Sequence, residues 1–339
     1  MSHMTYPEAM VVGFIQGVTE LFPVSSLGHN VLIPALIGGS WAADLNVAAP
    51  ESPYLAYIVG LHVATAIGIM IYFWRDWVRI IGGFFSSIRD RDIRTPDQKL
   101  AWMLVVATIP VGFAGLLFEH EFRVLFGKPI RAAIFLVLNG LILYAGERFR
   151  TRRSIRADAE LDRERAERDR ARAERERELA RTPAASRPAA RGSGQVAIRE
   201  QEIELGIEAD RRLASWDYLA ALAIGSAQIL ALLAGISRDG VTMVAGMFRG
   251  LSRQDAARFA FLLATPVILA AGVLKAGDLI GPLGDGIRGQ ILAGSLLSGI
   301  GAYLSVRFLV RYFQTRTLTP FAIYCVVFGL FSIIYLEVR

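Results

Sequence analysis

The sequence predicts an all-α polytopic membrane protein: six transmembrane helices, two re-entrant helix pairs and an inverted-topology internal repeat. Three observations lead there. The 339-residue chain is 53% hydrophobic with a mean hydropathy of +0.41, and its apolar residues gather into runs of about twenty, the length that crosses a bilayer as a helix. Two further apolar segments are broken in the middle by Gly, Pro, Ser and charged residues. These two breaks also share a spacing: Gly13, Gln16, Ser25 and Gly28 recur 212 residues later as Gly225, Gln228, Ser237 and Gly240.

The six crossings are read at Tyr54 to Trp74, Ala101 to Phe118, Arg131 to Tyr144, Phe259 to Leu274, Ile291 to Leu309 and Pro320 to Leu336. The broken segments, Pro7 to Ile37 and Trp216 to Leu251, are read as re-entrant pairs, because irregular backbone at membrane depth is tolerated only when buried in protein or lining a wet cavity. Each is followed by three crossings. An odd number of crossings between two copies makes the second enter from the opposite face, so the broken tips should meet near the midplane. The expected units are residues 1–148, a first repeat; 149–214, a charged insertion with its linker; and 215–339, a second repeat.

The insertion carries "RERAERDRARAERERELA", whose alternating charges at helical spacing predict a solvated helix without an apolar stripe. "RTPAASRPAARGSG" breaks it and reads as a flexible linker. Lys and Arg concentrate in the connection Arg75 to Lys99, in the insertion, and near Arg311 and Arg316. Alternation of six spans puts all three on one side, which the positive-inside rule makes cytoplasmic, with both chain ends outside. The connections Glu119 to Ile130 and Gly277 to Ile287 are poorer in basic residues. The net charge of +6 therefore points to anionic lipid headgroups rather than nucleic acid. The single cysteine, Cys325, excludes a disulfide framework and a thiolate metal site. No secretory signal is read. Met1-Ser2-His3-Met4 resembles an expression-tag junction, so His3 is set aside and Met4 is expected to be the natural start.

The first break carries a carboxylate, hydroxyls and an imidazole. Gln16 and Glu20 are four apart and share one helical face, Pro23 ends that helix, Ser25 and Ser26 sit on the turn, and His29 follows. Such a set can bind a divalent cation, activate a hydroxyl or water, and supply a proton. It can also be a structural break, with Ser capping the second half-helix and His29 a satisfied buried histidine. An intramembrane carboxylate is costly without a partner, which favours the functional reading of Glu20. The second break sets Ser237, Arg238 and Thr242 among glycines. Close-approaching backbone amides, a planar guanidinium and a helix N-terminus together describe a phosphate cradle.

Both motifs resemble one family. "QGVTELFPVSSLGH" is similar to the (E/Q)xxxE and PVSSxGH signatures of the undecaprenyl-diphosphate phosphatases, the bacitracin-resistance proteins. "GISRDGVTMVAGMFRGLSRQDAARFAFLLATPV" resembles their PGxSRSGxT motif and its continuation, and "PFAIY" at Pro320 to Tyr324 resembles their closing helix. The resemblance implies a bacterial inner-membrane enzyme, opening to the outer side, that removes the terminal phosphate of undecaprenyl diphosphate with Mg2+ or Ca2+ and so recycles a cell-wall lipid carrier. It implies catalytic roles for Glu20, Ser26, His29 and Arg238, phosphate contacts from Ser25, Ser237, Arg238 and Thr242, and cation contacts from Gln16 and Glu20. Ala234, Asp239, Leu27 and His62 depart from the pattern, where Pro, Ser, Thr and Gln are usual. Asp239 is expected either to pair with Arg238 or to add a cation ligand, and Asp239 and His62 are kept as secondary site residues. The expected partners are a polyprenyl diphosphate and membrane lipids, with a homodimer left open. Two other classes compete: a polyprenyl-phosphate flippase or anion transporter on the same inverted-repeat layout, and a lipid-binding scaffold organised by the insertion.

Overall fold

A computed structural model describes residues 4–45, 53–126, 128–181, 194–275, 277, 281 and 286–338. The described residues form helices joined by short turns, without a strand. In chain order they are α1 (Tyr6–Leu21), α2 (Ser26–Ile37), α3 (Gly39–Asp44), α4 (Pro53–Tyr72), α5 (Trp74–Asp90), α6 (Pro96–Phe126), α7 (Pro129–Arg148), α8 (Arg152–Arg181), α9 (Gly194–Ala214) and α10 (Tyr218–Ser226). A 3-10 turn (Ala227–Leu232) leads to α11 (Arg238–Arg249), α12 (Arg253–Leu274), α13 (Arg288–Tyr312) and α14 (Thr319–Val338).

Five described helices are long and apolar enough to cross a membrane unbroken: α6 over Pro96–Phe118, α7, α12, α13 and α14. The span expected at Tyr54 to Trp74 is α4, which meets α5 at a bend of 92°. A second bend, of 99°, joins α9 to α10, and up to seven crossings result if each bent pair counts as one. The protein is a multi-pass membrane protein. Both broken segments are helix–break–helix units: α1 and α2 around Pro23, and α10 with its 3-10 turn and α11 around Gly235.

Two expected connections are largely helical instead. Arg75 to Lys99 contains α5, which runs until Arg91 turns left-handed at φ 50°. Glu119 to Ile130 is mostly the end of α6, since no Gly or Pro interrupts the sequence between Gly115 and Gly127. The insertion also differs from a purely solvated helix. Residues 152–181 form the expected charged helix α8, but it is not wholly solvated, since Ser154 is buried with its hydroxyl on the Leu251 carbonyl at 2.7 Å and Asp158 accepts from the Arg253 amide at 3.0 Å; the linker's residues 182–193 lie outside the described residues, and α9 is docked as well. Its Asp210 is buried and takes Arg258 through Nε at 2.8 Å and Nη2 at 2.9 Å, and Arg79 of α5 at 2.6 Å. Arg212 grips Asp255 with two bonds of 3.0 and 2.8 Å. The run of charges in sequence hides this, because pairing to distant helices follows no local period. Asp210→Ala removes the buried carboxylate that joins Arg79 and Arg258 and leaves Asp76 to serve both, with Asp97 still on Arg79, so the cost stays below the roughly 3–5 kcal/mol of a buried pair broken outright. The expected result is a clear drop in the unfolding temperature of the purified protein, with Asp210→Glu recovering part of it.

Close helix contacts set the frame around the breaks. α1 lies directly on α13: a Cβ at Gly13 would meet the backbone of Gly294, and one at Gly17 the backbone of Ser298. Small residues on both helices let the backbones approach, the usual means of association in lipid. In the second half, a Cβ at Gly225 would meet the backbone of Ala107, so α10 lies on α6 in the same manner. Gly13→Leu therefore pushes α1 off α13. Overpacking costs about 1–3 kcal/mol or more, seen as a lower unfolding temperature and a broadened size-exclusion peak.

Candidate functional site

The first break is built by capping. α1 ends where the Phe22 amide bonds the Val18 carbonyl, and Pro23 cannot continue the helix. Ser25 holds φ at 68°, a strained value for a residue with a side chain, and its Oγ caps α2 by accepting from the Gly28 amide at 3.2 Å. The same Oγ accepts from the Gly235 amide, also at 3.2 Å, so Ser25 ties the first tip to the second. At the second break Ser237 caps α11 by accepting from the Gly240 amide at 3.1 Å. The tips also touch as backbone: a Cβ on Gly28 would sit 3.0 Å from Gly235 Cα.

Glu20 is the centre of the site. It is buried, and its carboxylate accepts from four side chains. Arg238 Nη2 donates to Oε1, while Oε2 receives the Ser26 hydroxyl, Gln16 Nε2 at 2.8 Å and His62 Nε2 at 3.3 Å. A carboxylate removed from water needs such donors, and the guanidinium supplies its countercharge. Ser26 thus has its proton aimed at a carboxylate, the relation of a nucleophile to its base. Gln16 is fixed in turn by Asn30, whose Nδ2 donates to Gln16 Oε1 at 2.5 Å. Asn30 Oδ1 is buried without a hydrogen-bond partner.

The sequence-selected residues do not all converge. His29 turns away from Glu20: its Nδ1 donates to the Ser25 carbonyl at 2.8 Å, its Nε2 accepts from the Tyr324 hydroxyl at 2.8 Å, and Tyr324 and Phe328 stack with the ring. The imidazole that reaches Glu20 is His62, which the sequence marked only as a secondary residue. Its Nδ1 donates to the Ile58 carbonyl at 2.8 Å, which orients the ring. Thr242 spends its hydroxyl proton on the Arg238 carbonyl at 2.8 Å, bracing the first turn of α11. Asp239 is buried with Oδ2 unpartnered and does not take Arg238, which pairs with Glu20 instead. Arg238 Nε is likewise buried and unpartnered.

One central residue escaped the sequence reading. Asn139 of α7 donates through Nδ2 to the Pro23 carbonyl at 3.0 Å and accepts from the Ser237 amide at 2.9 Å, so one amide clamps both tips. The available signal was a lone Asn in an apolar span, since buried amides between membrane helices find partners. For cation binding, the described residues contain no group of three or more Asp, Glu, His or Cys side chains placed to hold a metal. Hard oxygens at the site include those of Glu20 and Gln16, the Ser26 hydroxyl and the unpartnered Asn30 Oδ1.

Comparison with known proteins places this chain in a family. The family described as bacitracin resistance protein BacA matches residues 9–173 and 192–331. An undecaprenyl-diphosphatase of Mycolicibacterium paratuberculosis is 57% identical over 339 residues, covering 100% of this chain and 99% of its own. Undecaprenyl-diphosphatase 1 of Frankia casuarinae is 50% identical, with 98% and 99% covered. Undecaprenyl-diphosphatase 2 of Chromobacterium violaceum is 35% identical, with 97% and 98% covered. With both polar breaks inside the matched residues, the chain belongs to the bacitracin resistance protein BacA family.

Proposed function

We propose that the protein is a membrane phosphatase that hydrolyses undecaprenyl diphosphate to undecaprenyl phosphate and inorganic phosphate, recycling a cell-wall lipid carrier and so conferring bacitracin resistance. The observation that carries the reading is the meeting of Ser26, Glu20 and Arg238 at the junction of the two tips. The names of the relatives agree with it. In this reaction Ser26 Oγ attacks the terminal phosphorus, its proton passes to Glu20, and the bond from phosphorus to the bridging oxygen breaks. Water then cleaves the phosphoserine and releases phosphate. Arg238, freed from Glu20 by the incoming diphosphate, holds the phosphate oxygens, with the positive end of the α11 dipole behind it. Positioning and charge neutralisation are expected to dominate the barrier, as in phosphoryl transfer generally. Glu20 is preferred to His29 as proton acceptor because His29 is engaged by Tyr324 and Ser25.

A divalent cation, Mg2+ or Ca2+, is part of the proposal. Glu20 and Gln16 would hold it, with the unpartnered Asn30 Oδ1 as a third oxygen, and the donor set suits a hard ion that keeps substrate oxygens in its shell. When bound it would supply positive charge against the diphosphate.

The two breaks are proposed to be copies of one unit in inverted topology. In support, Ser25 and Ser237, 212 residues apart, each cap a helix through the amide three residues on. Gly13 and Gly225, with the same offset, each seat their helix on a span of the other half, α1 on α13 and α10 on α6. The insertion is proposed to lie in the cytoplasm, with the site opening to the outer side of the inner membrane.

The test is phosphate release from undecaprenyl diphosphate by the purified protein, with and without EDTA and with Mg2+ or Ca2+ restored. Release that EDTA stops and the cation restores is the expected result. Movement of polyprenyl phosphate across vesicle membranes without phosphate release from any polyprenyl diphosphate would overturn the enzyme reading in favour of a transporter.

A further inference from the structure

Helix α5 carries more apolar surface than its packing covers. Its packed side already has a partner: Ile80, Gly83 and Ser87 are buried, with Trp77 and Phe84 packed on the core beside them, the Gly83 backbone closes on Asp97 and Gln98 at the start of α6, and Trp102 Nε1 donates to Ser87 Oγ at 2.9 Å. Its outward side is a continuous apolar row, Trp74, Val78, Ile81, Phe85 and Ile88, each between 44% and 64% exposed. At about 100° per residue these five positions fall within an arc of about 80°. Such a row on an exposed helix needs a cover.

The surroundings say which cover. α5 follows α4 after a bend of 92°, so a helix leaving a membrane span turns to run along the membrane edge. Arg79 and Asp76, on the side of α5 roughly opposite the row, join the ion cluster of Asp210 in α9 and Arg258 at the start of α12. The charged helix α9 therefore reaches α5 on that side through Asp210, and the apolar row faces the other way. Arg75 and Arg89 lie along one edge of the row and Arg91 and Arg94 follow it; Arg89 and Arg94 pair with Asp90 and Asp92 in exposed contacts that phosphate headgroups can replace. Trp74 sits at the turn, with the Arg75 guanidinium 5.2 Å from its ring. An apolar row, a basic rim and an aromatic residue at the junction are the parts of a helix lying in a lipid interface.

We infer that α5 is an in-plane membrane helix, its row Trp74–Val78–Ile81–Phe85–Ile88 set into the acyl boundary of the leaflet beneath α9 and its arginines on anionic headgroups. The inference depends on the membrane spans alone and stands apart from the phosphatase reading.

The test uses the full-length protein in vesicles of phosphatidylcholine, with and without phosphatidylglycerol. The buried Cys325 is replaced by alanine and an environment-sensitive fluorophore is placed by Phe85→Cys, by Val78→Cys as a second position in the row, and by Asp90→Cys off it. Variants whose unfolding temperature matches the parent are compared. The expected result is that labels at 78 and 85 are quenched several-fold more by nitroxide-bearing lipid than the label at 90. Aqueous iodide reverses that order, and phosphatidylglycerol strengthens the lipid quenching. Iodide quenching at 85 equal to that at 90 would overturn the inference. Close spin–spin coupling between 85 positions of two copies would also overturn it, by assigning the row to a second chain.

Discussion

Arg238→Ala is expected to lower phosphate release from undecaprenyl diphosphate by about a thousandfold or more, roughly 4 kcal/mol of barrier. Arg238 is the guanidinium that reaches the buried Glu20 from the opposite tip, and in the proposed reaction it turns to the substrate phosphates. Removing it takes away both the countercharge that makes Glu20 affordable and the fork that grips the terminal phosphoryl group. Arg238→Lys keeps the charge but not the planar, two-pronged donation, so it should recover only a small fraction of the rate. If the loss falls on kcat and kcat/KM together, the interaction belongs to the transition state; a rise in KM alone would make Arg238 a binding group. Alanine activity within about threefold of the parent, under about 1 kcal/mol, would remove it from the site.

Glu20→Gln is the second large effect. The substitution preserves shape but removes the negative charge that receives the protons of Ser26, Gln16 and His62 and the guanidinium of Arg238. The proposed base is lost, and phosphate release should fall by about a thousandfold, within the range general-base and electrostatic losses reach together. Calorimetric titration with Mg2+ or Ca2+ should weaken in parallel, which a purely structural Glu20 would not do. His29→Ala is the contrasting case: its ring touches Tyr324, Phe328 and the Ser25 carbonyl rather than Glu20, so the expected cost is to stability first and to turnover by disturbing the Ser25 turn. A loss with His29→Ala as deep as with Glu20→Gln, in a variant of unchanged unfolding temperature, would return the proton transfer to His29.

Much of the site was legible as chemistry out of place. Glu20, Arg238 and the serines interrupt apolar segments, and Gln16 and Glu20 fall on one helical face by spacing alone. What the spacing could not rank were the two histidines. His29 lies beside Ser26 in the chain, yet helix geometry carries its ring to α14; His62 lies 42 residues from Glu20 and arrives through the packing of α4. Asn139 was likewise invisible as a clamp, because one amide in an apolar run carries no period. The insertion was half legible: its charge pattern gives α8, whereas the burial of Asp210 depends on arginines in α5 and α12.

The sequence by itself determined the membrane class, the two broken segments and the residue types that gather there, because hydropathy and helix periodicity act over a few turns of chain. Tertiary structure alone decided that Glu20 meets Arg238 across 218 residues, that His62 rather than His29 completes the carboxylate's shell, and that α5 turns its apolar row outward. Those pairings depend on how closely α1 seats on α13 and α10 on α6. Such seating comes from glycine contacts between distant helices, which no local pattern encodes.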